Sequence, residues 1–570
     1  MGGRSDFATV HASRPRFALH VSTLAEPSPA LAASAEPLPS AEASRSEEAS
    51  RSEEAKRAGE AKRAGEAGGR GFLADSLALG MVLMFAMTVV QRGIGFVRGV
   101  WFCRLLDDAD LGRWALAFGF ISLITPVMLL GIPGCLPRFA EHYRRRGQLR
   151  GFVGRIGLAA SVCGLSAILA MMLAPGVFGW AIFLEPSRWS LVRAVAGAVA
   201  SVMVFNFVLD LNASLRQIRV VSCMQFAQGV GFTVASLLWL LGGGGLTGVI
   251  LAFASASTLG TLIGGWSLWR GWGADASDGG RFDGRALWRR MLPYAAALWM
   301  MNLLGNAFDL SDRWMILHLT AGDTALVGDT ALVGDTALAG DATLAGDATT
   351  ADDVAGQAAV GQYHSGRVFP ELLLSLATMV SGVLLPYLAA DWESGRPERV
   401  RERLRLALVA ASVGCTLLGV AVLGGSSWLF GTLLQGRYSA GLAVLPATFV
   451  FCSWAALATL AQTYLWVRER GNAVAITLAA GLAVNLALNA ALIPWWGLAG
   501  AVTATMVAHG MVLCGIGLAI RSADFPLGLP LIAAALLPVT LLGGPAVAAA
   551  GLAVGGGVTL CRRFPGGRPV

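Results

Sequence analysis

The amino-acid sequence predicts an all-α polytopic membrane protein of about fourteen transmembrane helices, with two six-helix lobes in tandem pseudo-repeat and a helix pair at the C-terminus. Three observations carry that prediction: composition, the sorting of arginines between loops, and an internal duplication. Of 570 residues, 55% are hydrophobic and 14% charged, and the mean hydropathy is +0.62. Apolar runs of about twenty residues, the length that crosses hydrocarbon as a helix, recur from Leu77 almost to the C-terminus. Backbone amides in lipid must pair inside their own segment, and these runs are too continuous for the alternating strands of a barrel.

Hydropathy places the spans near 77–103, 113–136, 154–180, 190–211, 218–241, 245–269, 291–319, 358–388, 404–430, 440–467, 471–493, 497–519, 527–543 and 545–561. With the N-terminus inside, 24 arginines fall in inward loops and five (Arg104, Arg113, Arg188, Arg193 and Arg437) in outward loops or their flanks. Positive residues are retained on the cytoplasmic side, so both termini are expected there, in a cell (inner/cytoplasmic) membrane. The net charge of +7 therefore reflects topology and argues for no nucleic-acid partner.

The expected domains are a disordered cytoplasmic tail (1–70), an N-lobe (71–270), a cytoplasmic linker (271–290), a C-lobe (291–520) and a C-terminal helix pair (521–570). The tail is rich in Ala, Ser, Glu and Pro, repeats itself, and lacks the apolar core of a signal peptide. The eight cysteines form no CxxC pair or Cys/His cluster and read as small packing residues, with no metal or other cofactor implied.

The duplication is weak but consistent. After the first span the chain reads LGRWALAFGF, and after the seventh VGQYHSGRVF; Gly112 to Pro137 and Gly361 to Pro386 are both 25 residues. AAS at 159–161 recurs at 410–412, and GLTGV beginning at Gly245 is answered by GLAGA beginning at Gly497, so the offset stays between 249 and 252. Tandem units of one orientation are a transporter architecture. The same offset exposes an insertion at 322–356, where the hexapeptide GDTALV is copied about five times. Fewer than two coils of a β-helix could form from it, and its aspartates lack calcium-loop spacing. It reads as a low-complexity outer loop that deletion of 322–356 should leave without effect.

Ionisable groups inside a membrane normally face a cavity, a partner or a ligand. The first span carries QRGIGFVRGVWFCR, with Arg92, Arg98 and Arg104 six residues apart, so that successive arginines point about 120° apart around the helix. Arg92 and Arg98 can line one broad cavity, while Arg104 can also snorkel to the interface. The seventh span carries NLLGNAFDLSDRW, in which Asn302, Asn306, Asp309 and Arg313 form one polar stripe and Asp312 lies beside it. With the insertion removed, Asp312 corresponds to the neighbourhood of Arg98, which suggests an Asp312–Arg98 pair across the halves. Asn206, Asp210, Asn212, Gln225, Gln228 and Glu371 are further cavity candidates, as are His364 and Arg367. Asn485 and Asn489 read as interhelical hydrogen-bonding groups, His509 as a packed core histidine, and His142 as part of a basic loop. No phosphate loop, HExxH or GxSxG is present, and no soluble region has the size of a catalytic domain, so the chain is expected not to be an enzyme.

Three stretches, VVQRGIGFVRGVWFCRLLDDADLGRWALAF, VGQYHSGRVFPELLLSLATMVSGVLLPYL and RGNAVAITLAAGLAVNLALNAALIPWWGLAGAVTATM, resemble polysaccharide flippases of the multidrug/oligosaccharidyl-lipid/polysaccharide exporter superfamily. The RxxGFxR element at Arg92–Arg98 is also similar to the first helix of lipid II flippases, where the equivalent arginines contact pyrophosphate. The resemblance implies export of a polyprenyl-pyrophosphate-linked oligosaccharide by alternating access, among membrane lipid and with polysaccharide polymerase or export proteins as partners. Substrate contacts would come from Arg92, Arg98, Arg104, Asn306, Arg313 and Arg367, and coupling from Asp309, Asp312 or Glu371. Lipid II flipping, cation-coupled drug efflux and an integral-membrane sugar-polymer ligase or polymerase are the alternative readings.

Overall fold

The computed structural model describes residues 77–129, 131, 136, 139–140, 143–144, 146–272, 284–320 and 348–561. The N-terminal tail, His142, the hexapeptide array up to residue 347 and the last nine residues lie outside the described residues.

Helices α1 (Leu77–Leu105) and α2 (Asp108–Met128) form a hairpin. Its turn is closed by Asp107, whose carboxylate accepts from the Asp110 amide at 2.6 Å and so satisfies one orphan donor of α2. Helix α3 (Leu149–Leu173) stops at Ala174, where Pro175 begins the short α4 (Pro175–Phe183). Helices α5 (Trp189–Ser214), α6 (Ile218–Leu241) and α7 (Gly245–Trp272) complete the first lobe.

The second lobe opens with α8 (Gly284–Leu319). Two expectations change here. The linker expected at 271–290 is short, because α7 runs to Trp272 and α8 begins at Gly284 with no breaker before Pro293. The eighth span is also broken into α9 (Ala348–Arg367) and α10 (Glu371–Glu393). Pro370 lacks an N–H and disfavours helical backbone in the preceding residue, which ends α9. Residues 348–356 thus belong to a helix and not to the loop expected at 322–356.

Helices α11 (Pro397–Gly424), α12 (Ser439–Val467) and α13 (Gly471–Arg521) finish the lobe. Continuous helical assignment merges two passes in α13, which turns at Gly497 with φ 52° and ψ −128°, backbone that a side chain strongly disfavours. The C-terminal pair is α14 (Leu529–Leu536), extended by a 3₁₀ segment Leu537–Gly543, and α15 (Pro545–Cys561). It is fastened to the core by Ser412, whose hydroxyl donates to the Ala534 carbonyl, and by Trp454 Nε1, which donates to the Ala535 carbonyl at 2.8 Å.

Among the described residues there is no strand, and nine helices are long and apolar enough to cross a membrane. Counting α13 as two passes, and adding α1, α8 and the C-terminal pair, accounts for the fourteen. Cys103, Cys415 and Cys452 are buried among apolar neighbours.

The lobes meet where α2 crosses α9. A Cβ at Gly112 would stand 1.8 Å from the Gln357 carbonyl oxygen, and one at Gly361 2.0 Å from that of Asp108. These are the two glycines that the duplication aligns. Each lobe contributes the same bare backbone position, and the two approach each other about the pseudo-symmetry axis.

Candidate functional site

The break between α9 and α10 organises the polar centre. It sets Arg367 in the last turn of α9, where the carbonyl end of the helix favours a cation, and Glu371 in the first turn of α10, where the amide end favours an anion. Arg367 is 4% exposed. Its Nη2 lies 2.6 Å from Asp309 Oδ1 on α8, and its Nε 3.2 Å from Glu371 Oε1. Arg313 is equally buried; its Nη2 lies 3.8 Å from Glu371 Oε1, and its Nη1 donates at 3.2 Å to the Ala115 carbonyl in the other lobe. The Asp309 side chain is 54% exposed, so this network opens on accessible space.

Asp312 lies one helical position away in a closed setting, 1% exposed. Its Oδ1 accepts from Asn485 Nδ2 and Asn489 Nδ2, both at 2.9 Å, and its Oδ2 accepts from Tyr363 Oη at 2.8 Å. Thr505 Oγ1 stands 2.8 Å from Asp312 Oδ2 and 2.8 Å from the Ala501 carbonyl. A threonine hydroxyl has one hydrogen and cannot donate to both.

The first-lobe cations are held differently. Arg98 Nη1 donates to Thr233 Oγ1 at 3.3 Å, and its guanidinium lies 4.2 Å from the centre of the Phe232 ring. Arg92 is exposed, and neither arginine has an ion pair among the described residues. The expected Arg98–Asp312 pair does not form. Asp312 is enclosed by Tyr363, Asn485, Asn489 and Thr505 of its own lobe, and Arg98 by Thr233 and Phe232 of the other. The α1 face nevertheless reaches the break: Phe96 meets Phe369 with ring centres 5.3 Å apart, and a Cβ at Gly99 would be 3.4 Å from Val368. Arg98 and Arg367 thus flank one inter-lobe contact.

Arg104 stacks loosely on Trp101, at 5.8 Å, near the end of α1 and apart from this centre. Asn306 Nδ2 donates to the Asn302 carbonyl at 2.8 Å. Asn212 is fully buried, its amide on the Val208 carbonyl, and Gln228 Nε2 donates to Ser257 Oγ at 2.9 Å; both serve first-lobe packing. His509 packs between Phe308 and Phe451, with Nδ1 2.9 Å from the Thr505 carbonyl oxygen.

A second polar group ties the lobes at the end opposite the arginine-rich links. In the 184–188 link, Glu185 Oε1 accepts from Arg113 Nη2 and from Gln357 Nε2, both at 2.8 Å, and Gln357 also donates to the Phe183 carbonyl at 2.7 Å. Gln362 Nε2 donates to Asp108 Oδ2 and to the Arg437 carbonyl, and Trp314 Nε1 to the Ala181 carbonyl at 3.1 Å. Burial alone would push the Glu185 carboxyl up; the Gln357 hydrogen bond and the Arg113 charge outweigh it and hold it below the usual value.

Tyr363, Thr505, Thr233, Glu185 and Gln357 were not singled out by sequence. Each is a lone polar residue whose partner is over a hundred positions away or on another helix, and no spacing announces it. Among the described residues no group of three His, Cys, Asp or Glu side chains could hold a metal.

Residues 77–392 match the sequence pattern of a family described as polysaccharide biosynthesis protein. No curated protein sequence matches the chain. Among solved structures, the lipid II flippase MurJ in an inward closed conformation is similar with TM-score 0.59 and 11% identity, over 84% of this chain and 98% of that one. An inward-facing multidrug resistance MATE transporter of the MOP superfamily is similar with TM-score 0.52 and 13% identity, over 79% and 100% of the two chains. An outward-facing form of such a transporter scores the same 0.52 at 12% identity, over 78% and 96%. At these identities the likeness establishes a shared polytopic transporter fold.

Proposed function

The chain belongs to the polysaccharide biosynthesis protein family, and from that premise we propose that it flips a polyprenyl-pyrophosphate-linked oligosaccharide across the cytoplasmic membrane by alternating access. The carrying observation is the pair Arg92 and Arg98 on α1, two intramembrane cations with no carboxylate partner among the described residues. A pyrophosphate cannot cross hydrocarbon unaided, while its polyprenyl tail stays in lipid. Guanidinium groups remain charged in such a setting and hold phosphate through paired hydrogen bonds. Arg313 and Arg367 are already engaged by Glu371 and Asp309, so their part is to receive substrate only when that network opens, with Asn306 on the same stripe. Arg104 would meet the head group at the far end of the path.

Coupling is assigned to Asp312. Loading it with a proton, or with a small cation in its place, changes the charge of the pocket that α8, α9 and α13 share. Asp309 and Glu371 then follow through Tyr363, whose hydroxyl lies 3.4 Å from Arg367 Nη1. Both termini and the arginine-rich links would face the cytoplasm, and the α2–α9 contact would close the outer side. No catalytic role is proposed for any residue.

Lipid II is the second reading, supported by the likeness of the RxxGFxR element at Arg92–Arg98 to the first helix of lipid II flippases. Complementation of a strain depleted of its lipid II flippase separates it from polysaccharide export. The proposal is tested by export in cells carrying Arg92→Ala or Arg98→Ala: export is lost with the protein inserted at normal abundance. Normal export by both variants would sink it.

A further inference from the structure

The arginine-rich end of the second lobe holds a charged groove that the transport path does not use. The start of α11, the end of α13 and the link to α14 enclose an open groove of about 580 Å³, lined by Arg401, Arg521, Asp524, Phe525, Pro526 and Leu527. Its carboxylate is taken: Asp524 Oδ2 lies 3.2 Å from Arg468 Nη2. Arg401 pairs with Glu398 through Nη1, and its Nε is buried without a hydrogen-bond partner. Arg521 is exposed and has no ion pair among the described residues. Arg405 is exposed as well, with Nη2 3.9 Å from the position a Cβ on Gly528 would take.

The floor is rigid. Phe525 is 1% exposed and meets Tyr464 edge-on with ring centres 5.1 Å apart, while Tyr464 Oη donates to the Ala523 carbonyl at 3.0 Å. Beside the groove the first turns of α14 present Leu529 and Ile532 to the outside, 60% and 49% exposed. Guanidinium groups above an outward apolar flank match an amphiphile with an anionic phosphate head and acyl chains. The groove lies at the seam between the twelve-helix core and the C-terminal pair, away from the α1–α9 contact.

We propose that this groove binds the phosphate of an anionic phospholipid head group and so fastens the C-terminal helix pair to the core. The surplus cations are Arg405 and Arg521, with Arg401 turning its unpartnered Nε toward the bound phosphate. A zwitterionic head group brings its own cation against Arg521 and binds less well. Free phosphate shares the head-group chemistry but lacks the chains that cover Leu529 and Ile532.

The test is thermal unfolding of the full-length protein in detergent, titrated with phosphatidylglycerol, phosphatidylcholine or inorganic phosphate. Phosphatidylglycerol raises the midpoint by about 2–4 °C, and the other two do not. Arg405→Gln with Arg521→Gln weakens the phosphatidylglycerol response about tenfold, whereas Arg521→Lys retains most of it. Native mass spectrometry of the same samples counts bound lipid independently of any loss of stability. Equal lipid retention by the wild type and the double variant would overturn the proposal. A full response to inorganic phosphate would overturn the lipid assignment.

Discussion

Helices α1 and α8 occupy the same place in the two six-helix units, yet they hold their charges in opposite ways. On α1 the cations Arg92 and Arg98 have no carboxylate partner among the described residues, and Arg98 rests on a hydroxyl and an aromatic face. On α8 the charges are compensated: Asp309 meets Arg367, Arg313 meets Glu371, and Asp312 is surrounded by Tyr363, Asn485, Asn489 and Thr505. The two helices are equivalent in the repeat, yet one holds cations without a carboxylate among the described residues and the other an internally compensated network. Under the proposed function the first would meet the cargo and the second would serve coupling.

The sharpest way to break this comparison is to remove one arginine from each side. Arg367→Ala leaves Asp309 and Glu371 without their shared cation and should destabilise the protein by about 3 kcal/mol, the low end for a broken buried pair because Asp309 is partly exposed. Arg98→Ala loses its ring contact and a 3.3 Å hydrogen bond to Thr233, about 1–2 kcal/mol together, yet should abolish export. Thermal unfolding beside export assays in the two variants reads the contrast, and equal destabilisation would erase it.

The crossing of α2 and α9 is the next target. Gly361→Val puts a branched side chain where 2.0 Å separates a Cβ from the Asp108 carbonyl oxygen, so the closed contact cannot form. Export should fall at least about tenfold. A reagent added from the side where α2 meets α9 should then label a cysteine introduced at Ala115 that is protected while Gly361 is present.

A smaller effect concerns the Glu185 link. Its folded-state carboxyl sits below the ordinary value of 4.5, so its stabilising contribution is complete above 4.5 and is lost as pH falls through the lower folded value. Glu185→Gln should lower the unfolding midpoint at neutral pH and remove part of the further drop seen on acidification below 4.5. A variant whose acid profile overlays the wild type would show that Glu185 does not hold the lobes together.

The least effect is expected from the hexapeptide array. Deleting 322–347 should leave export unchanged. Deletion to 356 shortens α9 up to Gln357, whose carbonyl faces Gly112 and whose amide reaches Glu185, and should impair export. Equal export by both deletions would separate the start of α9 from the inter-lobe contact.

Much of this architecture was legible because periodic or duplicated features leave linear traces. Apolar runs mark the passes, and the common offset of Gly112 and Gly361 anticipates a shared role, although not that the two glycines touch. The stripe from Asn302 to Arg313 marks α8 as polar, but it could not tell the exposed Asp309 from the enclosed Asp312. Asn485 and Asn489 read as interhelical hydrogen-bonding groups, and their acceptor, Asp312, is fixed only by tertiary packing. Pairing Arg98 with Asp312 failed because equal position in a repeat does not imply contact. The break at Pro370 leaves no trace in hydropathy, which passes smoothly through VFPELLL.

The most direct measurement is flipping of a fluorescent polyprenyl-pyrophosphate-linked oligosaccharide in proteoliposomes, with a proton or sodium gradient imposed one at a time. Arg92→Ala with Arg98→Ala should be inactive under every gradient, while Asp312→Asn should keep a slow downhill flipping that no gradient accelerates. Wild-type flipping by the double arginine variant, or a full gradient response by Asp312→Asn, would contradict the division of labour between the lobes.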